Sequence, residues 1–253
     1  MPMLMNRVCW IGAMIVLVAL TGCQTYQHRC PTPALEVYPC RAATGPIAID
    51  GKLDEAAWGQ AEVISEYHVF QAPPGVELSP SNVRLLWNKD FLYVAFEYED
   101  NDIWSFSNTP DDDLWNGDVA ELFIKPSTTN NLYYEFVMAP NGNLFDARYP
   151  SRGAGGSYRF KVWSSGAQVA TDVRGTDNDF GDDDQGYTVE MAIPMSVFPD
   201  WAQPSETVGW TFGAFRYNYS KSFEDPLLLM SVPEAVGHGY HSYEDYQPLR
   251  FSK

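Results

Sequence analysis

Trp115 and Glu121 carry the first chemical signal in the chain. They lie in the stretch DDDLWNGDVAELFI, residues 111–124, where a tryptophan stands in an acidic, glycine-containing loop just ahead of an apolar run. A tryptophan ordinarily seeks a core, whereas Asp111, Asp112, Asp113 and Asp118 seek water or a cation. Two readings are open: the indole folds back as a plug, or it stands up as a platform for a ligand. In DVAELFI an extended chain puts Ala120, Leu122 and Ile124 on one face and Val119, Glu121 and Phe123 on the other. Glu121 therefore shares a face with apolar neighbours just after Trp115. A flat ring beside a carboxylate suits a saccharide, whose axial C–H bonds meet the ring while its hydroxyls meet the acceptor. The structural alternative makes Trp115 a cap on a sheet edge and pairs Glu121 with a neighbouring arginine.

Strands must hold such a pair, and the sequence is rich in them. VRLLW and FLYVAFEY flank the turn NKD, which predicts a hairpin. LYYEFVM and LFDAR flank APNGN, where Asn141-Gly142 supplies the turn. YRFKVW, QVATDV, YTVEMAI and GWTFGAFRYNY continue the series, and only short helices are expected, near LDEAAW and at MSVF after Pro194. Short strands separated by turns predict an all-β, antiparallel β-sandwich of the immunoglobulin-like or jelly-roll-like kind, with one or two short helices. No internal repeat or low-complexity block interrupts it, so one module is expected.

The 253 residues, 45% of them hydrophobic, can bury a substantial core. A formal net charge of −17 excludes nucleic acid as a natural partner, because phosphate backbones require lysine and arginine. The first 22 residues read as a leader. Arg7 is followed by the apolar run WIGAMIVLVAL, too short to span a bilayer as a helix, and then by LTGC. Leu20-Thr21-Gly22-Cys23 resembles a bacterial lipobox, which predicts cleavage before Cys23 and lipidation of that cysteine. Several acyl chains would anchor the protein firmly, where one is marginal. Gln24 after the cysteine points to the outer membrane, the periplasm or the cell surface. With Cys9 removed and Cys23 acylated, Cys30 and Cys40 remain and are expected to pair in an oxidising compartment. The proline-rich PTPALEVYP between them predicts that residues 23–41 form a tether, leaving 42–253 as the module.

GPIAIDGKLDEAAW, VRLLWNKDFLYVAFEYED, LWNGDVAELFI and YHSYEDYQPLRF, in that order and spacing, resemble carbohydrate-binding module family 9. The most specific parts are Ile-Asp-Gly-x-x-Asp-x-x-x-Trp and Trp-x-x-Asp-x-x-Glu followed by a hydrophobic residue. The resemblance implies a β-sandwich that grips a sugar between two aromatic side chains, with structural calcium nearby. It matches Trp115 to one stacking residue and Glu121 to a hydroxyl partner, and it places the second aromatic wall at Tyr240. The arginine that contacts sugar in relatives falls on Val137, so glucan specificity is not carried over; Arg148, Arg152 and Arg216 are candidates to compensate. For calcium, the oxygen-rich candidates are DDDLWNGD and DNDFGDDDQG at 177–186, neither with EF-hand spacing.

Catalysis has little support. The chain has four histidines, His28, His68, His238 and His241, and it lacks a Gly-x-Ser-x-Gly elbow, a P-loop and a Cys-x-x-Cys pair. The expected protein is a non-catalytic, exported lipoprotein that holds an oligo- or polysaccharide, with any hydrolase link running through a partner protein. His238 and His241 read as loop histidines bonded to backbone. A competing class is a b-type haem or redox sandwich, using Met138, Met191, Met195 or Met230 with His68 or His241, although strand methionines are usually core filler. A surface scaffold lipoprotein is the third class.

Overall fold

The computed structural model describes residues 35–154, 160, 162–204, 209–220 and 225–253. Its strands are β1 (Tyr38–Ala42), β2 (Val63–Ile64), β3 (His68–Gln71), β4 (Ser81–Trp87), β5 (Phe91–Tyr98), β6 (Val119–Lys125), β7 (Tyr133–Met138), β8 (Leu144–Tyr149), β9 (Gln168–Arg174), β10 (Gly186–Pro194), β11 (Trp210–Asn218), β12 (Leu227–Met230) and β13 (Gln247–Ser252). Both hairpins expected from their turns form: β4 with β5, and β7 with β8. Gly142, at φ +85°, supplies the left-handed residue that the second turn requires. The helical pieces are single 3-10 turns, including Trp58–Gln60 and Met195–Val197. The strand expected at YRFKVW falls partly outside the described residues, and its described part is not extended in a ladder.

The strands run in the order β8-β7-β6-β11-β13-β1-β4-β5-β10-β9, with β12 and β3 extending from β11, and β2 on β4. Pairing is antiparallel except at β1, which runs parallel to both β13 and β4. The two halves pack face to face as a sandwich. Ala120, Leu122 and Ile124 from β6 share its interior with Val94 and Phe96 from β5 and with Val189 and Met191 from β10. Period-two alternation thus places one side of each strand in this core.

Each half also carries apolar side chains on its outer face, and each is covered by irregular chain. On one side Trp58 packs on Leu86, Tyr93, Ala95 and Ala192. Buried Glu190 holds this cover: it accepts from Trp58 Nε1 at 2.8 Å and from the amides of Gly51 and Asp50 at 2.8 and 3.1 Å. The Ile-Asp-Gly…Trp motif is therefore a fastening for the sandwich. On the other side, Val119, Phe123, Tyr133, Val137, Phe145 and Phe215 are covered by chain that includes Val232, Tyr240 and Tyr246.

Two expectations near the N-terminus require correction. Residues 38–42 are not tether but a strand seated between β13 and β4, with Cys40 opposite Phe251. Cys40 is a free thiol, 0% exposed in the main core, so its side chain is committed to packing rather than to a bridge. Cys30 lies outside the described residues, as do Cys23 and the leader.

Candidate functional site

The loop before β6 resolves how Trp115 is presented. Within the 3-10 turn Leu114–Asn116, Leu114 is fully buried and Trp115 only partly so. Leu114 is the plug. Trp115 rests edge-on against Phe145, with ring centroids 5.1 Å apart and planes at 89°, which leaves indole surface toward the adjacent cavity. Asp118 pins the loop from behind, accepting from the amides of Trp104 at 2.7 Å and Tyr219 at 2.6 Å. Gly117 is required there, since a Cβ would stand 2.6 Å from the Phe106 backbone nitrogen.

The cavity, about 310 Å³, opens on the outer face of β6, β7, β8 and β11. Trp115, Glu121 and Tyr240 line it together, from a loop, a strand and the covering chain. Tyr240 is 6% exposed. Its ring stacks on Phe215 at 4.1 Å and 26°, and its hydroxyl donates to the Leu229 carbonyl at 3.1 Å. It is a fixed wall that offers a margin of its ring. Phe70, Tyr149, Tyr217, Leu228, Glu135, His238 and His241 complete the lining.

Glu121 occupies the floor with Glu135. The two are 3% and 5% exposed and sit on adjacent strands one register step apart, Glu121 opposite Val137 and Phe123 opposite Glu135. Burial, followed by the like charge of Glu135 and a hydrogen bond to it, pushes the Glu121 carboxyl well above the usual carboxylate range. Tyr149 donates to Glu135 Oε2 at 2.6 Å, and burial followed by the Glu135 charge raises that phenol too. Among the described residues no arginine pairs with Glu121. Arg152 is bound to Glu244, Arg148 lies over Trp163, and Arg216 is buried against Asp100, so none of the three lines this cavity.

Sequence reasoning missed Glu135, Tyr149, Tyr217 and Phe70, and gave both histidines a structural role. His238 and His241 both line the cavity, with His241 Nδ1 at 3.0 Å from the Tyr133 hydroxyl. The alternation of LYYEFVM already puts Tyr133, Glu135 and Val137 on one face, which was the available signal for Glu135. A larger cleft of about 660 Å³ lies elsewhere, lined by Glu77, Asp100, Arg174 and Asp184 among others, and it contributes no aromatic ring.

Several aspartates of the acidic loops accept from backbone amides. Asp184 accepts from the amides of Ile103 and Thr176, both at 2.7 Å, and Asp177 from that of Ser105 at 2.9 Å. Among the described residues no three histidines, cysteines, aspartates or glutamates gather into a metal-holding group. A haem does not fit. Met138 and Met191 are sealed in the sandwich core, and Met230 stands beside His68 in one ladder, where side-by-side neighbours cannot take opposite faces of a porphyrin.

No curated protein matches the chain. Among solved structures, a carbohydrate binding module family 9 from Caldicellulosiruptor kristjanssonii in complex with cellotriose superposes with a TM-score of 0.56 at 18% identity, covering 85% of this chain and 93% of that one. The module from that organism in complex with glucose gives 0.53 at 17%, covering 84% and 94%. A candidate carbohydrate-binding protein from Bacteroides uniformis gives 0.60 at 15%, covering 87% and 99%. These likenesses establish a common fold. The family model described as "Carbohydrate family 9 binding domain-like" matches residues 49–222, from the Trp58 fastening through the Trp115 loop to β11. The chain belongs to that family.

Proposed function

We propose that the chain is a non-catalytic carbohydrate-binding lipoprotein whose saccharide enters the cavity between Trp115 and Tyr240 and meets Glu121 at its floor. One observation carries this reading: Trp115 and Glu121 from one loop and strand and Tyr240 from far along the chain, chosen for an aromatic grip and a hydroxyl acceptor, line one concave site of ligand size. Two solved relatives were crystallised with cellotriose and glucose, which supports the ligand class. Glycoside hydrolysis requires carboxyls on either side of the bond, about 5–5.5 Å apart for retention and roughly 6.5–9.5 Å for inversion. Glu121 and Glu135 instead stand side by side on one face of neighbouring strands, an arrangement suited to holding a ligand. A glycan array followed by calorimetry on its hits tests the reading. Saturable binding of at least one saccharide class is expected, and silence across the array would sink it.

Residues 1–22 act as a secretory leader, and Cys23 carries the lipid that holds the module at the outer membrane or cell surface. The lipobox and the short apolar run before it support this assignment. Replacing Cys23 by serine is expected to move the protein from the membrane pellet to the soluble fraction and to abolish labelling by a fatty-acid probe. Undiminished membrane retention would refute the anchor.

A further inference from the structure

Glu121 Oε2 is buried, has no hydrogen-bond donor and belongs to a side chain that lines the cavity. Two buried carboxyls on neighbouring strands that line one cavity favour a cation between them, since like charges held close in a dry site do not both ionise without help. Among the described residues the protein supplies no lysine or arginine to this floor. The neighbouring strand puts Val137 opposite Glu121. Among the described lining residues the basic side chains are two histidines, and His241 is engaged with Tyr133.

Above this acidic floor stand the rings of Trp115, Tyr217, Tyr240 and Phe70. Aromatic faces attract a desolvated ammonium as well as C–H bonds, and a neutral sugar would use only the second property. Resting on the carbohydrate reading above, we propose that the site selects a saccharide bearing a free ammonium group, an amino sugar that is not N-acetylated, with the ammonium seated on Glu121 and Glu135. A proton held on Glu121 leaves to solvent as the ammonium arrives, so charge balances and no bond between heavy atoms changes. An N-acetyl group has no positive charge to offer the pair and adds bulk where the carboxyls lie.

The test titrates the full chain in detergent with a glucosamine trimer, its N-acetylated counterpart, cellotriose and the linear polyamine spermidine, at low and at high salt. The amino trimer is expected to bind at least about tenfold tighter than either neutral trimer, and to keep that margin at high salt. Glu121→Gln and Glu135→Gln are each expected to erase the margin while near-ultraviolet circular dichroism shows the fold intact. Should either variant fail to fold, the four-ligand comparison on the wild-type chain decides alone. Equal or tighter binding of a neutral trimer would overturn the ammonium preference and leave the carbohydrate reading standing. Spermidine binding as tightly as the amino trimer would overturn the requirement for a sugar. Silence with all four ligands would overturn this proposal, and silence across the wider glycan array would overturn the carbohydrate reading with it.

Discussion

Replacing Arg216 by methionine is expected to cost about 3–5 kcal/mol of stability, because it strips a buried charge pair of one partner. Arg216 is 0% exposed. Its Nη1 donates to Ser79 Oγ at 2.9 Å and Ser81 Oγ at 2.8 Å, and its Nη2 to the Glu99 carbonyl at 2.8 Å and Asp100 Oδ2 at 2.9 Å. The guanidinium also lies over the Tyr98 ring, 4.6 Å from its centroid. Methionine fills much of the volume and satisfies none of these acceptors. Asp100, 5% exposed, would keep only the Asn218 amide at 3.1 Å and the Asp102 backbone amide at 3.1 Å.

The pH dependence of that loss has a definite sign. Burial already pushes the Asp100 carboxyl up, and the Arg216 charge opposes the rise. Without Arg216, native Asp100 binds its proton more tightly than the unfolded chain does. A native state that holds more protons loses stability as pH rises. The deficit should therefore be full near neutrality and shrink as pH falls toward the ordinary carboxyl range. Urea unfolding at about pH 7 and about pH 5 reads this directly. Adding Asp100→Asn should return much of the loss, since an amide needs no counter-charge. A single variant as stable as the wild type at neutral pH would show that the pair contributes nothing.

Trp115→Ala is expected to remove most saccharide affinity at small cost to the fold. A fully buried tryptophan would cost roughly 3–5 kcal/mol on truncation. Trp115 is only partly buried, and the neighbouring Leu114 fills the hole beneath the loop, so its stability cost should be well below that range. Stacking of a ring on an aromatic side chain is worth about 1–3 kcal/mol, which is about a tenfold to hundredfold loss in affinity. Calorimetric titration beside a thermal melt separates the two effects. Tyr240→Ala should behave differently, losing stability along with affinity, because its ring is stacked on Phe215. An alanine at 115 that unfolds the protein, or that binds as well as the wild type, would remove Trp115 from the site.

The fold was legible because its signals are local. Asn141-Gly142 marks a turn, and the alternation in DVAELFI assigns both faces of β6 from seven letters. Trp115 and Glu121 were legible for the same reason, being close in sequence and on known sides of a strand. Tyr149 and Tyr217 were not, because they reach Glu121 only through the lateral order β8-β7-β6-β11, which no short window encodes. Phe70 was hidden more deeply: it stands on the four-residue β3, which reaches the site by pairing with β12. The arginines show the limit from the other side. Arg216 shares a strand with Phe215 and Tyr217, yet alternation turns it into the sandwich interior, away from the ring it was expected to serve. Cys40 was misplaced because the proline-rich letters before it suggest a tether, whereas a strand begins at Tyr38.

The parallel seat of β1 between β13 and β4 constrains the order in which this molecule assembles. Tyr38 aligns with Leu249, and Arg41 with Ser252, so the first described strand finds one neighbour only when the last strand exists. Closing so long a loop is entropically costly and comes late, which predicts slow folding dominated by non-local pairing. A chain emerging N-terminus first has β11 and β4 ready but unjoined, with β1 held on one side alone. The sandwich becomes continuous only once the six-residue β13 has been made. A chain without it presents open sheet edges to its surroundings, so Gln247–Ser252 act as the lock on the sandwich and as its protection against aggregation.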